Sequence, residues 1–208
     1  MNQLKLSQQQ SILTLHKAGW SNRAIARELA LNRETVGKYL RSQATPATEV
    51  TARSATLADA NSIARIYNEG IEDRVATFET RPRSPSDVGA WFDGVHPIVV
   101  VEDDGQVVAF AATFTYRPRE CYAGIAETSV YVSRSCRRRG AGKTALEALI
   151  QAAQTAGFWK LLSRIFPENA ASLALVRRLG FREVGVYEKH GQLDGQWRDV
   201  VIVERLIG

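Results

Sequence analysis

The sequence is poor in cysteine, histidine and methionine, with two, three and one of these residues among 208, and it has no long apolar run. Cys121 and Cys136 lie fifteen residues apart without CxxC spacing, so we expect reduced thiols, no metal site and no disulfide framework. The apolar runs 97–101 and 107–112 are too short to cross a bilayer, and the start MNQLKLSQQQ lacks a signal peptide's apolar stretch. These absences predict a soluble, cytoplasmic protein.

Hydrophobic residues make up 45% of the chain and charged residues 24%, which excludes intrinsic disorder and allows one full core with a small appendage. The net charge of +5 is unevenly placed. Residues 1–50 hold seven Lys or Arg against three Glu, whereas the remainder holds twenty against nineteen acidic residues. A basic N-terminal segment on a nearly neutral body favours an anionic polymer as the partner of that segment.

Three short helices are predicted before residue 43. Gly19 follows the first, and Ser21 and Asn32 are placed to cap the second and third. The string HKAGWSNRAIARELALNRETVGKYLRS resembles the helix-turn-helix domains of insertion-sequence transposases and resolvases. That resemblance implies a last helix lying in the major groove of DNA, with these residues facing bases or phosphates: Arg33, Glu34, Thr35, Lys38 and Arg41.

An alternative for this segment is a small helical accessory whose basic face is solvated and contacts no DNA. A DNA-binding unit of this size binds weakly alone and would need a dimer supplied by the rest of the chain. Small and polar residues with one proline then mark a linker. We therefore predict a helix-turn-helix domain over 1–43, a linker over 44–50 and a second domain over 51–208.

Strands and helices alternate after the linker. The patterns predict strands over 50–55, 126–132, 160–165, 181–188 and 197–206, and helices over 59–70, 86–92, 142–156 and 169–179. Asp104 and Gly105 separate two β-branched runs, which predicts an antiparallel hairpin. The order of strand, helix and strand over 126–165 predicts a parallel crossover unit. The second domain is therefore a mixed α/β domain.

The run RRRGAGKTA, residues 137–145, lies between a predicted strand and a predicted helix, where backbone N–H groups and the helix dipole bind phosphate. A Walker loop would need glycine where Arg137 stands. A dinucleotide fingerprint fits weakly through Gly140, Gly142 and Ala145, but no acidic residue occurs near 160. A merely solvated basic loop leaves unexplained why two glycines begin a helix that they destabilise.

The pattern RxxGxG at Arg137, Gly140 and Gly142 resembles the pyrophosphate loop of the GNAT acetyltransferases, and FPENAASLALVRRLGF resembles a later coenzyme-contacting segment of that family. The resemblance implies a mixed, mostly antiparallel sheet flanked by helices and an acetyl-coenzyme A site without a metal. It implies that backbone groups of one strand meet the acetyl and pantetheine portions: Val130, Tyr131 and Val132. It assigns the rest of the coenzyme to the following residues: Arg137, Arg138, Arg139, Gly140, Ala141, Gly142, Lys143, Asn169 and Ser172.

Four strings, ATFETRPRS, YAGIAETSVYV, RIFPENAASLALVRRLGF and DGQWRDVVIVERLIG, resemble the phosphinothricin and arsinothricin N-acetyltransferase branch over nearly all of residues 51–208. This likeness implies a homodimer that acetylates the α-amine of an amino-acid-like oxyanion compound. Arsinothricin is the expected substrate, with phosphinothricin or methionine sulfoximine as related ones, and resistance to such compounds is the expected outcome.

Acetyl transfer from a thioester needs an unprotonated amine, whereas an α-amine with a pKa of about 8 is mostly charged at neutral pH. By the resemblance, Glu127 is the base that removes the proton, directly or through water. The alternative is a carboxylate of an edge strand that is paired with an arginine. Many GNAT proteins have a tyrosine as acid where this chain has Val176, so Tyr131, Tyr187 and His190 remain candidates, or the thiolate leaves without an acid.

A substrate oxyanion favours guanidinium partners, which bind such oxygens in bidentate fashion. Arg117 and Arg119 are two residues apart, which predicts one face of an extended strand, and by the resemblance they bind the substrate anion. The alternative is a solvated strand end beside Pro118. Phe78 is expected to wall the amino-acid pocket, and Arg81 and Arg83 are weaker anion candidates.

Two other classes of function compete with this enzyme. One is a DNA-binding regulator whose acetyltransferase-like body acts as a sensor, which the basic helix 33–41 supports. The other is a protein or aminoglycoside acetyltransferase, which is disfavoured because two arginines would repel a cationic substrate.

Overall fold

The structure is a computed structural model that describes residues 5–43 and 50–208. The predicted linker, residues 44–50, lies outside the described residues except for Val50. Contacts divide the chain into two compact units, Met1–Glu49 and Val50–Gly208.

The first unit contains three helices, α1 (Leu6–Lys17), α2 (Asn22–Glu28) and α3 (Arg33–Gln43). Their apolar faces meet in a small core around the fully buried Ile12, Ile25 and Val36. The two predicted caps are confirmed, because Ser21 Oγ accepts the Ala24 amide at 3.2 Å and Asn32 Oδ1 accepts the Glu34 amide at 2.7 Å. Each cap satisfies an amide that the first helical turn leaves without a partner.

Strands and helices alternate in the second unit, as the sequence predicts. The strands of the described residues are β1 (Thr51–Ser54), β2 (Ile98–Asp103), β3 (Gln106–Thr115), β4 (Ile125–Val132), β5 (Lys160–Ile165), β6 (Arg182–Leu193) and β7 (Gln196–Leu206). The helices are α4 (Ala60–Asp73), α5 (Pro85–Gly89), α6 (Ala141–Thr155) and α7 (Ala170–Arg178). The helix predicted over 86–92 is shorter in the structure, where α5 ends at Gly89.

The seven strands form one mixed sheet in the order β1-β2-β3-β4-β5-β7-β6, and every neighbouring pair is antiparallel except β4 and β5. The predicted hairpin is confirmed, since β2 and β3 pair antiparallel around Asp104 and Gly105, both with positive φ. The parallel crossover is confirmed as well, with α6 between β4 and β5. This parallel pair places the strand before the glycine loop beside the strand after α6.

Helices cover both faces of the sheet. On one face α6 buries Leu146 and Leu149 against Ala109 and Ala111 of β3. On the other face α4 and α5 pack against Phe110, the alternate residue of the same strand. β3 is thus buried on both faces, which explains why VVAFAA is continuously apolar rather than alternating.

Trp159 packs its ring directly on Gly124 at the start of the β4–β5 pair. A Cβ at Gly124 would lie 1.9 Å from Trp159 Cε3, and the Trp159 amide donates to Gly124 O at 2.9 Å. We expect Gly124→Ala to lower the free energy of unfolding by about 2 kcal/mol, because the ring has to leave its site. Urea denaturation measures the loss. Gly185→Ala is the control, since a Cβ there meets nothing within 4 Å; equal stability of the two variants would contradict the packing argument.

Arg53 and Asp59 join β1 to the start of α4. The hydrogen bonds from Arg53, at 2.7 and 2.8 Å, lower the pKa of the buried Asp59 to about 2. A carboxyl whose pKa falls on folding stabilises the fold above its unfolded pKa of about 3.9, and this stability disappears as the pH falls toward 2.

We therefore expect Arg53→Gln to lower the free energy of unfolding at pH 7 by about 1 kcal/mol, a value reduced for the 40% exposure of the arginine. The difference from wild type should shrink between pH 4 and 2, as urea titrations at each pH would show. Arg81→Gln is the control, because Arg81 is 69% exposed and lies 3.6 Å from Asp87. A difference that stays constant down to pH 2 would refute the role of Asp59.

Candidate functional site

The parallel strands β4 and β5 separate after three paired residues. Their register runs from Ile125 opposite Lys160 to Glu127 opposite Leu162 and goes no further. Beyond this point a cleft, here called the gap cleft, opens between the strands. The structure gives it the following lining residues: Ala76, Thr128, Ser129, Val130, Tyr131, Leu146, Ser163, Arg164, Ile165, Phe166, Asn169, Ser172 and Val176.

Backbone groups of β4 face this gap at alternate residues. The Ser133 amide donates to Val108 O across the β3–β4 ladder, so the odd-numbered residues of β4 bond to β3. Val130 and Val132 therefore direct N–H and C=O toward the gap, as the sequence analysis expects for coenzyme contacts. Tyr131 lies opposite Phe110 of β3, so in this alternation its backbone groups face β3 and not the gap, and its coenzyme contact stays a prediction.

The glycine loop presents a row of amides at the start of α6. Gly140 has φ +93°, and its carbonyl accepts the amides of Lys143 and Thr144 at 2.9 and 3.1 Å. Within the described residues, the amides of 138–142 donate to no protein acceptor. Such free amides at a helix N-terminus are a ready site for a diphosphate. Residues present at this loop therefore fit the anionic part of a coenzyme.

Three of the four basic side chains of the loop are already paired with carboxylates. Arg137 binds Asp73 at 2.6 Å, Arg139 lies 3.2 Å from Asp103, and Lys143 lies 3.2 Å from Glu147. Burial alone would raise the pKa of Asp73, but hydrogen bonds from Arg134 and Arg137 lower it. The Arg137 pair thus ties the loop to α4. Arg138 has φ +64° and an exposed side chain.

Asn169 and Ser172 both line the gap cleft, where the sequence analysis expects coenzyme contacts. Asn169 Oδ1 accepts the Ser172 amide at 3.1 Å and caps α7, while its Nδ2 donates to Val75 O at 3.1 Å. The asparagine therefore also has a structural role, which its position before a helix predicts. Thr128 supplies an unsatisfied group, since its hydroxyl is buried and has no partner among the described residues.

A second cleft of about 410 Å³, here called the side cleft, opens on the α4 face of the sheet and adjoins the gap cleft. The two share the following lining residues: Ala76, Thr128, Ser129, Tyr131, Ser163, Arg164 and Phe166. The side cleft adds Tyr67, Thr77, Phe78, Glu79, Phe114, Glu127, His190 and Val200. A small molecule in the side cleft would meet a coenzyme in the gap cleft at these shared residues.

Glu127 reaches the side cleft from β4 and forms an ion pair with Arg164 of β5. The arginine partner was the alternative that the sequence left open, but β4 is a central strand and not an edge strand. Both side chains are partly exposed, at 29% for Glu127 and 32% for Arg164. Sequence reasoning missed Arg164, although a charge near the end of the predicted strand KLLSRI, between Ser163 and Ile165, was a signal.

Phe78 walls the side cleft, where its ring meets Phe166 edge-on at 4.8 Å. His190 lies at the same cleft, 6.4 Å from Phe78 between ring centroids, whereas Tyr187 is exposed. Tyr131 lines both clefts, but burial raises the pKa of its hydroxyl well above 10. Burial thus makes Tyr131 a poor proton donor, which leaves His190 as the better placed of the three acid candidates.

The strand predicted at Arg117 and Arg119 is wrong. β3 ends at Thr115, and both arginines lie exposed in the following loop, outside the lining residues of either cleft. β3 ends three residues before Pro118, which has no N–H with which to continue the pairing through this loop. Their role as substrate ligands stays a prediction. Arg83 is paired with Glu79 at 2.7 Å.

Two further observations concern metals and membranes. Across residues 5–43 and 50–208, no three His, Cys, Asp or Glu side chains come close enough together to hold a metal ion. Of the helices described, none combines the length and apolarity needed to span a bilayer.

Comparisons with known proteins agree with this geometry. A family model described as Acetyltransferase (GNAT) family matches residues 63–181. The L-methionine sulfoximine/L-methionine sulfone acetyltransferase of Pseudomonas aeruginosa is 36% identical over 157 residues, which cover 73% of this chain and 91% of that protein. The phosphinothricin N-acetyltransferase of Streptomyces coelicolor is 30% identical over 164 residues, which cover 76% of this chain and 96% of that protein.

A solved structure gives the same result. The GNAT superfamily phosphinothricin acetyltransferase from Sinorhizobium meliloti, in complex with AcCoA, superposes with a TM-score of 0.72 at 33% identity. The match covers 76% of this chain and 89% of that one.

Proposed function

Because the chain belongs to the GNAT family of acetyltransferases, we propose that it transfers the acetyl group of acetyl-CoA to the α-amine of an amino-acid-like oxyanion compound. The membership makes it an acetyl-CoA-dependent N-acetyltransferase. Arsinothricin is our first candidate substrate, and phosphinothricin and methionine sulfoximine are related ones. Acetylation of such a compound would confer resistance to it.

The lining residues that the two clefts share carry this proposal. Acetyl-CoA supplies its acetyl group as an activated thioester when bound. The free amides of 138–142 hold the diphosphate, and Val130 and Val132 donate N–H groups toward the acetyl and pantetheine portions. Phe78 contacts the substrate in the side cleft. Glu127 accepts the proton that the ammonium group has to lose before the amine attacks.

A thiol-release assay tests the substrate class. Purified protein with acetyl-CoA should release free thiol on addition of arsinothricin, phosphinothricin or methionine sulfoximine. An aminoglycoside and a peptide with a free N-terminus are the comparison substrates and should give much slower release. Absence of thiol release with all three amino-acid-like compounds would refute this substrate assignment.

We further propose that the enzyme is a cytoplasmic homodimer. Support for the dimer comes from the β6–β7 hairpin, where large apolar side chains are about half exposed: Val184, Val186, Tyr187 and Trp197. Light scattering after size exclusion should give twice the chain mass of 23.0 kDa. Val186→Lys should shift the protein toward monomer, and a wild-type monomer at micromolar concentration would exclude the dimer.

DNA binding by residues 1–43 is a second proposal, supported by the three-helix unit and its charge. Arg33 and Lys38 are exposed on α3 and Thr35 is half-buried, while the side chain of Arg41 lies outside the described residues. We expect salt-sensitive binding to one duplex over random DNA, lost on deletion of 1–44 while acetylation persists. No binding to any duplex at low salt would leave this unit an accessory.

A further inference from the structure

Arg164 is a charged residue of both clefts to which the sequence alone assigned no role. Among the described residues that line either cleft, it is the only lysine or arginine. It lies two positions beyond Leu162, the last residue of β5 that pairs with β4. From this placement we propose that Arg164 binds the acidic group of the substrate and selects zwitterionic amino acids over simple amines. The inference rests on the proposed function and names its specificity-determining residue.

Stability does not explain the ion pair between Arg164 and Glu127. Both side chains are about one-third exposed, so water and salt screen their attraction. Ordering a long arginine side chain also costs conformational entropy. Apolar residues surround the pair on this face, with Leu162, Phe166 and Val200 in one cluster. Two apolar residues at these positions would extend that cluster and stabilise the fold more than the ion pair does. We therefore attribute the two charges to ligand binding.

The charges of the side cleft match those of an amino acid. Glu79 also lines the cleft, but its carboxylate is paired with Arg83 at 2.7 Å. Arg83 does not line the cleft, so among the described lining residues the Glu127–Arg164 pair is the one that places both a negative and a positive charge there. A zwitterion brings an ammonium to Glu127 and a carboxylate to Arg164, so each charged group exchanges one opposite partner for another. The guanidinium can hold the carboxylate through two parallel hydrogen bonds.

A simple amine has no carboxylate and therefore cannot replace both partners of the ion pair. Its ammonium would displace Arg164 from Glu127 and leave the guanidinium in a partly desolvated cleft without a counter-ion. The ion pair thus favours binding of an amino acid and disfavours binding of an amine without an acid group. Arg117 and Arg119, which the resemblance assigns to the substrate anion, lie outside the lining of both clefts, and that role stays a prediction.

Matched substrate pairs test the inference. We would measure kcat and KM by thiol release for methionine sulfoximine, phosphinothricin and the decarboxylated amine of each. Wild type should prefer each amino acid over its amine by about 30-fold or more in kcat/KM. Arg164→Gln should raise KM for the amino acids by about 30-fold and abolish the preference. Arg164→Lys should keep kcat and part of the preference, because it retains the charge but not the bidentate geometry.

Arg177→Gln is the matched control, since Arg177 is an exposed arginine paired with Glu183 outside both clefts and should leave both constants unchanged. Wild-type KM and preference in Arg164→Gln would overturn the inference and leave the proposed function intact. A wild-type protein that acetylates neither member of either pair, and does not acetylate arsinothricin or its decarboxylated amine, would refute the proposed function, and the inference with it. If Arg164→Gln unfolds at a lower temperature than wild type in a thermal melt, the test uses Arg164→Lys instead. Wild-type KM values and a wild-type preference for the amino acids in Arg164→Lys would then also overturn the inference.

Discussion

Replacing Glu127 by glutamine is expected to lower kcat at pH 7 by about a hundredfold or more, because the variant cannot take the proton from the substrate ammonium. The deficit should depend on pH. Without a base, the variant can use only substrate whose amine is already unprotonated. The fraction of substrate in this form rises about tenfold per pH unit below an amine pKa of about 8. The variant rate should therefore rise steeply with pH, and its deficit against wild type should narrow above pH 8.

Glu204→Gln is the control for this experiment. Glu204 is a sheet carboxylate that binds Lys160 at 2.8 Å, and it lies outside both clefts. Its loss should affect stability and leave the pH profile of kcat unchanged. An unchanged pH profile in Glu127→Gln would remove Glu127 from the proton transfer and leave it as the partner of Arg164.

Gly140→Val is expected to weaken acetyl-CoA binding by about a hundredfold. Gly140 has φ +93°, a conformation that β-branched residues almost never adopt, so the loop has to change its course. The free amides of 138–142 would then lose their present arrangement at the start of α6. A hundredfold loss of affinity corresponds to the loss of about two charge-assisted hydrogen bonds. Calorimetry with acetyl-CoA measures the dissociation constant directly.

Gly157→Val is a matched control at the other end of the same helix. Gly157 follows α6 with φ +87°, and a Cβ at either glycine meets nothing within 4 Å. Both variants therefore suffer the same backbone strain, on the order of 1 to 2 kcal/mol, without a collision. Only Gly140→Val should lose affinity. Equal affinities in the two variants would contradict a role of the loop amides in binding the diphosphate.

Local patterns predicted the elements that position the site. Two β-branched runs separated by Asp104 and Gly105 marked β2 and β3, and the order of strand, basic glycine loop and long helix marked the β4–α6–β5 unit. These predictions succeeded because the signals lie within a few residues of one another. The strand predicted through Arg117 failed because a two-residue spacing says nothing about whether the chain stays in the sheet, and Pro118 favours its departure.

Contacts between distant segments were beyond such patterns. Arg164 and Glu127 are 37 residues apart, and their pairing follows from the register of two parallel strands. The same holds for Tyr131, whose backbone groups bond to β3 because of the β3–β4 register.

The amino-acid sequence by itself determined the order of helices and strands, the phosphate-binding loop and the resemblance to acetyltransferases, since these depend on local residue preferences and spacing. Tertiary structure alone decided where β4 and β5 separate, which backbone groups face the gap cleft and that Arg164 meets Glu127 in the side cleft. Strand register and side-chain packing are collective properties of the whole sheet, so no short stretch of residues specifies them.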